Sequence, residues 1–167
     1  KIKNKKILEI GGGRNSLLNF FPKSEKWLID FSVIKKKLNN VKIIKKSFEK
    51  TDLKKKYFDY IIFFHTLEHI EDPKKFLFKI KSLLKNDGKI ILEVPNLNFY
   101  LKQKPYHAFF FQHLSIFSPE TLDNLLNTSG FMPVKRVIEK KIILNFYKKH
   151  DSSQIKFSGK FQSLKLK

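Results

Sequence analysis

An apolar run ending in three glycines, Ile7-Leu8-Glu9-Ile10-Gly11-Gly12-Gly13, narrows the choice of fold more than any other feature of this chain. It predicts a strand over Lys6–Ile10 and a tight turn after it. Asn15 to Phe21 then has helical spacing, with Leu17, Leu18 and Phe21 on one face and Pro22 as a stop. A strand, a glycine bend and a helix place that bend at the carboxyl end of a strand, where open α/β sheets bind their ligands. Glycines there let a ligand approach bare backbone. The N-terminus of the following helix offers free N–H groups to an anion.

The rest of the sequence repeats this alternation. Strands are predicted at Trp27–Phe31, Val41–Phe48, Tyr57–Phe64 and Lys89–Val94. Tyr57–Phe64 is apolar on both faces, as a central parallel strand should be. Ser32 caps a short helix through Lys37. Asp72-Pro73 opens a helix with Phe76, Leu77, Ile80, Leu83 and Leu84 as its apolar stripe, ended by Asn86-Asp87-Gly88. Asn96 to Phe117 reads as irregular and aromatic. Ser118-Pro119-Glu120 opens a last helix with Leu122, Leu125 and Leu126 facing inward and Gly130 as its stop. Phe131–Glu139 and Lys141–Tyr147 read as a terminal strand pair. The expected fold is α/β: a Rossmann-like, doubly wound, mostly parallel seven-strand sheet ending in an antiparallel pair, with helices on both faces. Residues 1–149 form one domain and 150–167 a polar tail.

Composition removes several classes of function. No cysteine is present, which excludes disulfides, thiolate catalysis and Cys-ligated zinc, and fits a cytoplasmic protein. No apolar run is long enough for a membrane helix. Lys1 rather than Met opens the sequence, and whether a further N-terminal segment precedes it is left open. The net charge of +20 invites a polyanionic partner, nucleic acid or an anionic membrane surface. Yet all but two of the 35 basic residues are lysines, spread along the chain, whereas nucleic-acid binders favour arginine. Compositional drift is therefore the preferred reading of the charge. A small-molecule acceptor is the favoured partner; the oligomeric state is left open.

The glycine bend lacks the third glycine of a nicotinamide fingerprint (Ser16 stands there) and the Gly-Lys-Ser/Thr of a phosphate-binding loop. It resembles motif I of class I S-adenosylmethionine (SAM)-dependent methyltransferases: an acid, any residue, then G-x-G-x-G. Glu9, Gly11 and Gly13 match, and Asn15 replaces the third glycine. Asp30, at the end of the second strand, stands where the family keeps an acid for the ribose hydroxyls. Ser47-Phe48-Glu49 falls in the loop that wraps the adenine, without the acid often found at the Ser47 position. Phe48 reads either as a purine platform or as core.

The stretch Phe58-Asp59 through Leu67-Glu68-His69-Ile70-Glu71-Asp72-Pro73 resembles the pattern FD-hydrophobic-x4–6-LEH-(I/V)-x-D-P of one methyltransferase group. Lys85-Asn86-Asp87-Gly88-Lys89 parallels that group's L-(K/R)-P-G-G segment, with Asn86 and Asp87 substituted. The resemblance covers residues 6–134. It implies SAM as cofactor, held by Glu9, Gly11, Gly12, Gly13, Asp30, Phe48 and His65, with Glu68 and His69 supporting the turn. The Glu9 carboxylate would favour a cationic ligand. His65 and His69 have a chelating i,i+4 spacing, but the segment begins as a strand end and lacks HExxH, so no metal is expected.

His113-Leu114-Ser115-Ile116-Phe117-Ser118 through Gly130-Phe131 resembles the H-x-x-x-F-(S/T)-x-x-x-L…G-F stretch of small-molecule and sugar methyltransferases. That resemblance makes His113 a general-base candidate, with a structural role as its alternative; His107 is a weaker candidate. The aromatics of 100–117 read as pocket wall, core or partner surface. The expected activity is methyl transfer to a small acceptor, a sugar or surface-glycan precursor first. The alternatives are an RNA or protein methyltransferase and a non-catalytic module of the same fold. The absence of an (N/D)-P-P-(Y/F) signature after the fourth strand argues against base amino-group methylation.

Overall fold

A computed structural model describes residues 2–32, 37–103, 111–139 and 141–150. Seven strands form one sheet: β1 (Lys6–Ile10), β2 (Glu25–Ile29), β3 (Val41–Ile44), β4 (Phe58–Phe64), β5 (Leu84–Pro95), β6 (Phe131–Ile138) and β7 (Ile142–Lys149). Their order is β3-β2-β1-β4-β5-β7-β6. The first five are parallel, and β7 runs antiparallel to both β5 and β6. The expected mixed sheet and its antiparallel end are therefore present. The chain leaves β1 toward β2 on one side and returns to β4 on the other, which opens a crevice at the carboxyl end of β1.

Helices α1 (Pro73–Leu83) and α3 (Pro119–Thr128) start where the sequence places them. Asp72 caps α1 by accepting from Lys75 N–H at 2.9 Å. Ser118 and Thr121 cap α3 reciprocally: Thr121 N–H donates to Ser118 Oγ at 3.2 Å, and Ser118 N–H to Thr121 Oγ1 at 2.9 Å. Both helices join the main core, where Phe76, Leu77, Ile80, Leu122 and Leu126 meet Leu8, Ile61 and Phe63 of the sheet. A smaller core on the other face holds Ile7, Leu18, Leu28, Ile62 and Ile91. Among the described residues, no helix is long and apolar enough to cross a membrane.

β2 lies two residues earlier than expected and β3 stops at Ile44, short of the expected Phe48; three further segments depart in kind. The helix expected over Asn15–Phe21 is instead two short 3-10 turns, Gly13–Asn15 and Leu18–Phe20, joined through an extended Ser16. The Glu9 carboxylate pins the link between them: it accepts from Ser16 Oγ at 2.5 Å and from Leu17 N–H at 3.0 Å. The second segment is β5, which begins at Leu84 rather than Lys89. Its register on β4 jumps from Phe58↔Leu84 to Tyr60↔Lys89, so the Asn86-Asp87-Gly88 turn survives as a bulge inside the strand. The third is a helix, α2 (Leu97–Gln103), in the stretch read as irregular. Asn96 starts it, its Oδ1 accepting from Asn98 N–H at 3.1 Å. The short helix expected after Ser32 and the polar tail fall mainly or wholly outside the described residues.

Asp59 of the Phe58-Asp59 pair ties the start of β4 to that of β1. Its Oδ2 accepts from Lys6 N–H at 2.8 Å and its Oδ1 pairs with Lys85 Nζ at 2.9 Å. Burial pushes this carboxyl up, but the Lys6 hydrogen bond and the Lys85 ammonium outweigh it and hold it below its ordinary value. A lowered folded-state pKa gives stability that is present above the unfolded value, about pH 4, and is lost as pH falls through the folded one. Asp59→Asn should therefore cost about 1 kcal/mol at pH 7 and progressively less in acid. Urea titrations at pH 7 and near pH 3 check this; equal stability of the two proteins at pH 7 would refute it.

Candidate functional site

The crevice beyond β1 is built from the glycine bend, the end of β2, the turn after β3 and the turn after β4. Gly11, Asp30, Ser47, Phe48 and Thr66 line it, with exposed Phe31 at the rim. Gly11 has φ +73° and Gly13 φ +44°, left-handed conformations that glycine adopts without strain. Gly11 N–H donates to Ile29 O at 2.9 Å, which stitches the bend to β2.

The glycines also make room for protein groups. A Cβ on Gly11 would stand 2.4 Å from Thr66 Oγ1, and one on Gly12 would stand 2.6 Å from Glu9 Cδ. At Gly11 and Gly12 the space of the absent Cβ is taken by neighbouring side chains, Thr66 and Glu9, while Gly11 still lines the crevice. Gly13 remains open toward the carboxylate, its notional Cβ in ordinary contact at 3.4 Å from Asp30 Oδ2.

Asp30 and the bend meet directly. Gly13 N–H donates to Asp30 Oδ2 at 2.7 Å, and Ser32 N–H to Oδ1 at 2.7 Å. The residue is 7% exposed. Ser32 Oγ–H also donates to Oδ1, at 2.5 Å; of the roughly four lone-pair sites of a carboxylate, one on Oδ2 is left for a ligand hydroxyl while the others hold the loop. Bare backbone at Gly13 beside this carboxylate, with an aromatic ring in the lining of the same crevice, matches a nucleoside in the kinds of group present. Phe48 is 4% exposed, packs edge-on against Phe76 with ring centroids 5.1 Å apart, and has Lys79 Nζ 4.8 Å over its ring, so it belongs to the core while lining the crevice. Glu9 is buried under the bend, where its contacts with Ser16 and Leu17 brace the loop. A second donor set for an anion, the N-terminus of a helix after the bend, is replaced by the 3-10 turn.

Thr66 is the crevice residue that the sequence reading missed. Its Oγ1 donates to Ile10 O at 3.2 Å and Phe64 O at 3.0 Å, locking β4's exit against β1's. Its neighbour His65 has φ +48° and sits half exposed, its Nε2 2.9 Å from Glu93 Oε1 and its Nδ1 3.4 Å from Glu68 Oε1. The Glu68 carboxylate, then that of Glu93, pulls the imidazole's pKa above its ordinary value against the opposing effect of burial.

One turn further, backbone hydrogen bonds dock the segment that carries His113. Glu68 O accepts from Leu114 N–H at 2.8 Å and from Ser115 N–H at 3.1 Å. His113 then stands edge-on to His69, ring centroids 4.9 Å apart. Burial lowers the His113 pKa below its ordinary value; the Glu68 charge opposes this, while His69 and His65 add to it. Parallel pairing of Asn96 with Phe117 closes the same side. So the fold gathers Gly11, Asp30 and Phe48 in one crevice, with Gly13 bonded to Asp30, and groups Glu68 with His65, His69 and His113. His107 lies outside the described residues.

No curated protein matches the sequence. Solved structures match over most of its length. The 1,6-didemethyltoxoflavin N1-methyltransferase of Burkholderia thailandensis, crystallised with that compound and S-adenosylhomocysteine, superposes with TM-score 0.71 at 17% identity, over 89% of this chain and 72% of that one. The N-methyltransferase NodS of Bradyrhizobium japonicum, with S-adenosylhomocysteine, gives 0.67 at 15%, over 89% and 80%. A SAM-dependent methyltransferase of Aquifex aeolicus gives 0.68 at 17%, over 89% and 84%. At these identities the likeness establishes the fold. The family profile described as "Methyltransferase domain" matches residues 1–136. The chain therefore belongs to the methyltransferase domain family and has the fold of the SAM-dependent methyltransferases.

Proposed function

We propose that this chain binds SAM at the Gly11–Gly13 bend and Asp30 and methylates a small acceptor seated beside His113. The 2.7 Å contact between Gly13 N–H and Asp30 Oδ2 carries this reading, because it puts the bend and the acid at one point of the crevice. When bound there, SAM supplies an electrophilic methyl group on a sulfonium. Asp30 would accept one ribose hydroxyl at Oδ2 and the other at Oδ1 in place of Ser32 Oγ, and Phe48 with the Ser47 backbone would flank the adenine. Glu9 and Thr66 hold the bend in shape from either side. The wall formed by Asn96, Phe117 and the His113 segment would seat the acceptor and exclude water. A ring nitrogen of His113 would receive the acceptor's proton. A sugar or surface-glycan precursor is the first acceptor to try, on the resemblance around His113.

Calorimetric titration with SAM tests the reading. Asp30→Ala should weaken binding by about 1–3 kcal/mol, the value of charge-assisted hydrogen bonds, or roughly 5- to 150-fold. Unchanged affinity would place the ribose elsewhere. Absence of binding at millimolar SAM in the wild-type protein would leave a non-catalytic module.

A further inference from the structure

We propose that Glu68, His69 and His113 bind one divalent first-row transition ion on the acceptor side of the crevice. The sequence argues against a metal because His65, Glu68 and His69 follow a strand end and form no HExxH pattern. The fold replaces His65 with His113, brought in from a distant segment by the backbone bonds to Glu68 O. One donor atom from each of Glu68, His69 and His113 lies within 4.8 Å of the others. Donors held 2.0–2.2 Å from zinc stand up to about 4 Å apart, so a closure of about 1 Å completes the set.

A second observation points to a ligand. Glu68 is 1% exposed, yet neither of its carboxylate oxygens accepts a hydrogen bond among the described residues. Among the described residues its one ion-pair partner is His65, whose Nδ1 stands 3.4 Å from Oε1. A buried carboxylate left this way is costly, and a bound cation is one of the few groups that relieve it. The hydrogen bond made by His69 leaves one of its ring nitrogens for an ion. Its Nδ1 lies 2.9 Å from Gln112 O. A carbonyl only accepts, so Nδ1 carries the proton and Nε2 the lone pair. Two imidazoles and one carboxylate suit zinc-like ions, whereas magnesium and calcium prefer oxygen alone.

Three protein ligands leave a coordination position open. It suits an oxygen, which narrows the acceptor to one carrying a hydroxyl at or beside the methylated atom. That purpose rests on the acceptor placement proposed above; ion binding itself does not. With the ion bound, His113 is a ligand, and the ion rather than a free imidazole lowers the acceptor's proton affinity.

The full chain, freed of metal with a chelator, is titrated with cobalt(II) and followed by its visible absorption. Saturation at one equivalent, reversed by zinc(II), is expected. Glu68→Gln, His69→Ala and His113→Ala should each weaken uptake about 10-fold or more. His150→Ala, at the opposite end of the sheet, should leave it unchanged. The proposal fails if the folded wild-type protein takes up neither ion at millimolar concentration, or if all three variants retain full affinity. SAM calorimetry on the same metal-free protein keeps the two readings apart. Cobalt uptake without SAM binding sinks methyl transfer alone, and SAM binding without cobalt uptake sinks the ion alone.

Discussion

Gly11→Ala should lower stability by about 2–4 kcal/mol and weaken SAM binding beyond the Asp30→Ala loss. Two independent costs produce this effect. The first is conformational: at φ +73° a Cβ-bearing residue is strained by about 1–3 kcal/mol. The second is steric. The added Cβ would stand 2.4 Å from Thr66 Oγ1 and 3.3 Å from Thr66 Cβ, so the whole side chain must move. Moving it breaks the bonds to Ile10 O and Phe64 O that join the exits of β1 and β4. For a domain of this size the loss corresponds to roughly 5–15 °C in the melting midpoint. Gly13→Ala should cost less, since its Cβ meets Asp30 only at ordinary contact distance. Thr66→Ala added to Gly11→Ala should recover the steric part but not the backbone part. If Gly11→Ala melted with the wild type and bound SAM as tightly, the crevice geometry described here would be wrong.

His113→Ala should reduce turnover at least about 100-fold while SAM affinity stays within a few-fold of wild type. The side chain is beside His69 and Glu68, away from the residues that line the Gly11–Asp30 crevice, so cofactor binding has no reason to suffer. Release of S-adenosylhomocysteine with an acceptor found by screening hydroxyl compounds measures the first quantity, and calorimetry the second. Parallel loss of both would show that His113 only props the wall. His69→Ala adds a contrast. It spares a free-base role for His113 but removes the ion, so its activity relative to His113→Ala distinguishes the two ways in which the imidazole can serve.

The parts of the fold that were legible are those fixed by local chemistry. Ser118-Pro119 sets the start of α3 and Asp72-Pro73 that of α1, through caps and a proline within three residues of each other. The apolar runs of β1 and β4 needed no partner to be recognised. What the sequence hid depends on residues that meet only after folding. Leu17 and Leu18 have helical spacing, but Glu9 of a neighbouring strand pins the link there through the Leu17 N–H. Asn86-Asp87-Gly88 is a genuine turn, yet the sheet absorbs it as a bulge, where Leu84 and the Lys85 carbonyl leave no space for a Cβ at position 88. The helix α2 had a local signal in Asn96, masked by the aromatic character of the stretch. In the site, Asp30 was legible from its distance to the glycines. Thr66 was not, because its role is to fill the space that Gly11 leaves, and the Glu68–His69–His113 cluster was not, because its third member arrives from the far side of β5.

The way the His113 segment is fastened has a consequence for diversification. Both of its bonds to Glu68 O come from main-chain amides, and the Leu114 side chain is largely outside the protein. Such an anchorage is indifferent to which residues occupy those positions, proline excepted. Acceptor preference can then be rewritten along this stretch, one surface residue at a time, while the imidazole keeps its address.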